Sequence, residues 1–430
     1  MNEVGLSGAG RGFRAAALVL SMLCAFTALS GLNASSAHAA PGPAEAPEWW
    51  FDAWQAPALW ASGADGRGIT VAVVDTGVQG DLPELAGKVL PGADLIGNGT
   101  DGRTDFDSDD FSHGTAMASL IAASPGYGDI EGLAPAAKIL PISVPLRGVV
   151  RQGTPTANAT SQAVRYAADH GAKIISMSLG GFVDAAEDPD PCPGMLQDAV
   201  TYALQKGALV VAASGNSGQS GSPVEEPGVC LGVISVGAVD ASSTVTSFSS
   251  RHPYLTVVAP GDDIATLSKV SGRAFVGGGT SQATAITSAA LAVIWSKFPT
   301  ATNQQILSRL LGSVTDLGPK GDDDQYGLGL INPAAAINAN AAASKPNVVF
   351  AGVKPLLDLA ATTPRVPPAK AVAGKTDAAI GTLAIGAQGS SLGLSFYLLL
   401  IATVLLAVAG VILLVRGLRR RPRRFTAHQA

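Results

Sequence analysis

Charge is what this chain has least of. Lys, Arg, Asp and Glu make up 14% of its 430 residues, against roughly a quarter in ordinary globular proteins. Hydrophobic residues reach 47%, so a disordered or polyelectrolyte chain is excluded. Cysteine occurs three times, too rarely for a disulfide-built scaffold. No CxxC and no paired Cys/His spacing is present, so neither a structural zinc site nor any other metal or cofactor is expected. Glycine (51) and proline (27) are plentiful, but they follow no G-X-Y period, which excludes a collagen-like rod. The formal net charge is −5, although Arg416, Arg419, Arg420, Arg421, Arg423 and Arg424 crowd one end with no acid among them. The body between the ends is therefore acidic, which argues against nucleic acid as the main partner.

Two long apolar runs frame that body. The first, Ala15 to Leu32, follows Arg11 and Arg14 and precedes Ala37-His38-Ala39. A basic start, an apolar middle and an A-x-A end read as a secretory signal peptide over residues 1–39. The second run, residues 392–415, is LGLSFYLLLIATVLLAVAGVILLV, without a charge. It is long enough to span a bilayer, and the arginines behind it place residues 416–430 in the cytoplasm. The lipid bilayer is thus an expected partner, with one C-terminal helix holding an exported body to the cell membrane. Export permits disulfides. The mature chain keeps only Cys192 and Cys230, and a single bridge between them is the simplest reading; two buried free thiols are the alternative.

Residues 40–60 form an N-terminal extension whose Trp49, Trp50 and Trp54 are expected to pack on the body. Residues 341–391, rich in Ala, Pro, Gly and Thr, read as a linker to the membrane. Between them, over 61–340, apolar runs alternate with helical patterns. GITVAVVD (68–75), KILPISV (138–144), KIISMSL (173–179) and GALVVAAS (207–214) each look like a strand buried on both faces. His113–Ala123, Ser161–His170 and Met195–Lys206 read as helices, and a longer one runs from about Ser281 to Phe298. Residues 231–276 hold shorter strands and turns. The alternation predicts an α/β fold, a central mostly parallel sheet with right-handed crossovers and helices on both faces. In such a sheet, reactive groups gather where the strands end.

Three blocks lie at such places. Strand 69–74 ends in Asp75-Thr76-Gly77. Ser112-His113-Gly114-Thr115 opens an apolar helix. Gly277-Gly278-Gly279-Thr280-Ser281 opens the long one. A serine needs a base to become nucleophilic at neutral pH, and histidine supplies one. An aspartate fixes the imidazole tautomer and stabilises the imidazolium. At a helix start, the serine also sits beside unpaired backbone N–H groups that can receive an oxyanion.

The segments VAVVDTGV, SHGTAMASLIA and GGGTSQATA resemble the three signature blocks of subtilisin-like serine proteases, in the order Asp, His, Ser that marks them. Ser178-Leu179-Gly180 and Ala213-Ser214-Gly215-Asn216 are two further matches, and the likeness spans roughly residues 60–340. Signal peptide, short extension, protease domain, linker, one helix and a basic tail together resemble the mycosins, membrane-anchored proteases associated with type VII secretion. The resemblance implies that Asp75 orients His113, that His113 is general base and then acid, and that Ser281 is the nucleophile. It implies that Asn216 is an oxyanion donor, that Ser178, Leu179 and Gly180 pair with extended peptide, and that Ala213, Ser214 and Gly215 form the opposite wall. It further implies a protein or peptide substrate and a type VII secretion membrane complex as partner. Two positions depart from the family pattern: Gln282 follows the serine, and Ala283-Thr284-Ala285 lacks the usual proline. These departures motivate an alternative, a structural subunit with weak or no catalysis. No folding prodomain of the usual size fits before the body.

Other chemistry-bearing residues read as structural. A lone DTG at Asp75 is not an aspartic protease, which needs a second such aspartate. His170 stands where a helix ends and His252 lies in a loop. Asp101, Asp105, Asp107, Asp109 and Asp110 suit calcium by type, but their spacing fits no EF-hand, and a solvated acidic loop is expected. Asp322, Asp323 and Asp324 read as a solvated turn.

Overall fold

The computed structural model describes residues 48–124, 130–145, 155–183, 191–338 and 347–362. The expected signal peptide, membrane span and basic tail lie outside these residues. No described helix is long and apolar enough to cross a membrane.

The described chain begins with two short helices, α1 (Trp49–Trp54) and α2 (Ala56–Ala61). Trp50 and Trp54 are buried edge to face, with ring centroids 5.7 Å apart. The Trp49 indole donates to the carbonyl of Asp262 at 3.4 Å. The tryptophan cluster therefore packs on the body, as its composition suggested.

The strands are β1 (Thr70–Asp75), β2 (Ala93–Asp94), β3 (Lys138–Ser143), β4 (Ile174–Met177), β5 (Gly181–Phe182), β6 (Leu209–Ala213), β7 (Glu225–Glu226), β8 (Val233–Val239), β9 (Val257–Pro260), β10 (Ile264–Leu267) and β11 (Ala274–Gly277). Seven of them form one sheet in the order β2-β3-β1-β4-β6-β8-β9, with every neighbouring pair parallel. Their runs of Val, Ile and Ala are buried almost throughout, as a sheet covered on both faces requires. β10 and β11 form an antiparallel hairpin, and β5 pairs antiparallel with β7.

The helices α3 (His113–Ala122), α4 (Pro155–Asp169), α5 (Gly194–Gln205), α6 (Thr280–Lys297), α7 (Asn303–Leu311), α8 (Pro333–Asn338) and α9 (Val348–Thr362) complete the body. α3 packs with α6, and α4 packs with α5. α6 is buried from Thr280 to Trp295. It has no polar face to show solvent, as befits a helix in the middle of a large core. Its small residues let it sit against the strands, and Ser288 Oγ donates to Ser176 Oγ at 2.9 Å. α7 opens with a capping box between Thr302 and Gln305, which closes two of the donors that a helix start leaves unpaired.

Three differences from the sequence reading stand out. α4 starts at Pro155, six residues before the Ser161 expected. Residues 231–276 include the β10–β11 hairpin, which is separate from the main sheet. Within the stretch read as linker, residues 348–362 are helical, and Val349, Phe350 and Val353 are buried. A Cβ added at Gly232 would stand 3.2 Å from Val353 Cγ2, so α9 belongs to the packed body. Cys192 and Cys230 form a disulfide with Cα atoms 5.0 Å apart; of the two readings of these cysteines, the bridge holds.

Candidate active site

The carboxyl ends of β1, β4 and β6 converge on one edge of the sheet, and the starts of α3 and α6 face it. Asp75 ends β1 and is fully buried. Its Oδ1 accepts from the Thr76 N–H at 2.8 Å. His113 is the first residue of α3, and its Nδ1 lies 2.8 and 2.9 Å from the two Asp75 oxygens. A carboxylate only accepts, so Nδ1 carries the proton and Nε2 is left as the basic nitrogen. The His113 side chain is 22% exposed. Burial pulls the imidazole pKa down, but the charge of Asp75, its hydrogen bond and the charges of Asp107 and Asp105 outweigh that and raise it to about 8.

The start of α3 is fixed by a second carboxylate. Asp105 is 4% exposed and accepts from the Thr115 N–H (2.8 Å), the Thr115 hydroxyl (2.6 Å), the Thr76 hydroxyl (2.8 Å) and the Asp107 N–H (2.9 Å). Thr76 Oγ1 in turn accepts from the Gly114 N–H at 2.9 Å, and the His113 N–H donates to Asp107 Oδ2 at 2.9 Å. One carboxylate thus ties the turn after β1 to the first turn of the helix bearing the imidazole. The close approach demands glycine at 114, where a Cβ would collide with the Gly77 carbonyl. Ser112, buried and just ahead of His113, holds a left-handed conformation at φ 59°. Such backbone strain is uncommon in a residue other than glycine.

Asp105 corrects the expectation of a solvated acidic loop. Burial raises its pKa against the hydrogen bonds from Thr115, Asp107 and Thr76. Asp107 and Asp110 are held from the β10–β11 hairpin, where Lys269 donates to the Asp107 carbonyl and Arg273 pairs with Asp110. Among the described residues no group of three or more His, Cys, Asp or Glu is placed to hold a metal ion. Asp105 is the functional residue that the sequence reading missed: its type was noted, but nothing local separated it from its exposed neighbours.

Ser281 is the second residue of α6 and is 8% exposed. Its hydroxyl donates to the Ser178 carbonyl at 3.1 Å, and the Ser178 hydroxyl donates to the Ser281 carbonyl at 2.9 Å. No hydrogen bond joins it to His113 in this state. Asn216 follows β6, and its Oδ1 accepts from the Thr280 N–H (2.9 Å) and hydroxyl (3.0 Å). The backbone N–H can only donate, which fixes the amide orientation and leaves Nδ2 as a donor beside the serine. After β4, Ser178 is buried, Leu179 half-buried and Gly180 exposed, and at the end of β6 Ala213, Ser214 and Gly215 are buried. Gln282 is buried with Oε1 near Gly279, and Ala285 is fully buried in an unbroken helix. The two departures therefore leave the start of α6 intact. His170 and His252 take no part: the first bonds the Tyr166 carbonyl at 2.8 Å, and the second is buried against Tyr254.

The chain is 34% identical over 285 residues to subtilisin DY of Bacillus licheniformis, covering 66% of this chain and 95% of that one. It is also 32% identical over 303 residues to the minor extracellular protease Epr of Bacillus subtilis, of which it spans 43%. Among solved structures it is similar to the MycP3 protease of the type VII (ESX-3) secretion system, with TM-score 0.58 and 31% identity over 72% of this chain and 90% of that one. It is also similar to a chain in the periplasmic assembly of the ESX-5 inner membrane complex, with TM-score 0.62 and 28% identity over 73% and 90%. Residues 66–329 match the Subtilase family, peptidase S8, and with the Asp75–His113 pair standing beside the serine-led helix, the chain belongs to that family.

Proposed function

We propose that this chain is a membrane-anchored, extracytoplasmic serine endopeptidase that hydrolyses peptide bonds through an acyl-enzyme and works with a type VII secretion membrane complex. The buried Asp75 carboxylate on His113 Nδ1 carries the chemical part of this reading, because it leaves Nε2 free to take a proton. The mycosin and ESX-5 likenesses support the setting. The two apolar runs support export and anchoring, which put the domain outside the membrane and the tail in the cytoplasm.

In the proposed reaction, Ser281 Oγ turns from the Ser178 carbonyl toward His113 Nε2. As Oγ attacks the peptide carbonyl carbon, its proton passes to Nε2. The new oxyanion accepts from Asn216 Nδ2 and the Ser281 N–H, donors worth about 3–4 kcal/mol each in such sites. The imidazolium, stabilised by Asp75, gives its proton to the leaving amine as the C–N bond breaks. Water then attacks the acyl-enzyme with the same proton exchange in reverse. Ser281→Ala is expected to lower turnover by on the order of a million-fold and to abolish labelling by a fluorophosphonate. Cleavage of a sensitive peptide at the wild-type rate by that variant would overturn the assignment.

A second reading has its own observation. The Ser281 hydroxyl is engaged by Ser178 rather than by His113, as it would be in a subunit that contributes contacts without cleaving. A folded chain that resists the fluorophosphonate, in cells whose secretion still needs it, would decide for that role.

A further inference from the structure

We propose that the pocket beside Ser281 takes a lysine or arginine side chain of the substrate, on the acyl side of the scissile bond, with the Glu225 carboxylate as its counter-charge. The inference rests on the protease reading above and adds a substrate preference to it. Glu225 pairs with Phe182 across the β5–β7 ladder, which sets it next to the Ser178–Gly180 wall. Its side chain reaches between both walls. A Cβ added at Gly180 would stand 2.5 Å from Oε2, and one at Gly215 would be closer still to Oε1. Gly215 sits at φ +108°, so the gap on that wall is a backbone requirement that no other residue fills without strain. The Glu225 carboxylate lies in the space between the two bare backbones, where a Cβ on either glycine would run into it.

That carboxylate is built in and has no counter-charge among the described residues. Glu225 is 6% exposed, and its Oε1 has no hydrogen-bond partner. Among the described residues no Lys or Arg pairs with it. Burial lifts its pKa to about 7, with the Ser217 hydroxyl pulling the other way. Its backbone is fixed, because the Glu225 N–H donates to the Tyr254 hydroxyl at 3.2 Å and His252 stacks on Tyr254 at 4.4 Å. A buried carboxylate with no counter-charge and one oxygen unpartnered is costly unless a ligand completes it. A long cationic side chain does so, laying its apolar stem between the walls and its charge on that carboxylate. An apolar side chain of the same length would leave Oε1 orphaned, and an acidic one would face a like charge. Glu226 points to the other face of its strand by alternation and plays no part in the proposed pocket.

The test uses the full chain and synthetic peptides that differ only in the residue before the cut. Lys and Arg are expected to exceed Leu in kcat/KM by at least about 10-fold, with Glu poorest. Glu225→Gln should compress the Lys-to-Leu ratio to within about 3-fold, and Glu225→Arg should move Glu above Lys. A wild-type preference for Leu or Glu, or a ratio unchanged in Glu225→Gln, overturns the proposal. If the variants fail to fold, the wild-type profile alone decides. Calorimetry on the Ser281→Ala chain, with uncleavable peptides bearing lysine or norleucine, separates the two readings. Tighter binding of the lysine peptide in a chain whose wild type neither cleaves nor labels keeps the pocket and sinks the protease. Cleavage and labelling without that preference sink the pocket and keep the protease.

Discussion

His113 is poised by charge as much as by geometry. Its pKa of about 8 means that the basic form gains as pH climbs through that value, so kcat/KM is expected to rise about tenfold per pH unit below 8 and level off above it. Stability should respond in the opposite sense. The imidazolium–Asp75 pair adds all of its stability below about 6.5, the ordinary value, and loses it as pH rises through about 8. A pH–rate profile set beside thermal unfolding would show both, and a flat rate between pH 6 and 9 would refute the assignment of the base. Asp105→Asn removes the charge that ties Thr76 to Thr115 and puts two donors where acceptors stood. A fall of roughly 10- to 100-fold in kcat, larger than any change in KM, is expected from the displaced imidazole. The proposed triad, Asp75, His113 and Ser281, could be read from the sequence because each sits in a block with its own local signature. Asp105 and Glu225 could not, since their burial comes from chain segments brought in from elsewhere.

Among the elements, the disulfide joins the turn before α5 to the turn before β8 across 38 residues. Closing a loop of that length removes about 4 kcal/mol of freedom from the unfolded chain in the entropy model. Replacing Cys192 and Cys230 by serine is therefore expected to cost roughly 2–4 kcal/mol in denaturant unfolding while the peptide-cleaving site persists. An unchanged midpoint would contradict it. The strands were readable because both faces are buried, and unbroken Val, Ile and Ala runs say so without alternation. α9 was hidden for the converse reason. Its three buried residues, Val349, Phe350 and Val353, are few, and the Ala- and Pro-rich flanks dominated the composition. The β10–β11 hairpin was blurred by its short strands, yet it supplies Lys269 and Arg273 to the acidic loop.

At the scale of the whole chain, the apolar run at 392–415 and the arginines after it carry the proposed anchoring. Deleting residues 392–430 is expected to move the protein from the membrane pellet to the medium, with cleavage of a small peptide unchanged. A truncated chain that stays in the pellet after alkaline carbonate would point to attachment by another route. The acidic body outside and the basic tail inside then meet different surroundings, which is why one net charge describes neither.

The Trp49 indole is seated on a carbonyl 213 positions further along. An arm at the head of the domain thus waits for a loop next to the nucleophile's helix before it has anywhere to rest. In the proposed export, head first through the membrane, that arm stays undocked until well over half of the domain has emerged. Contacts of such long range form late and slowly. Completion of the catalytic edge and capture of the arm therefore belong to the same closing moment of assembly.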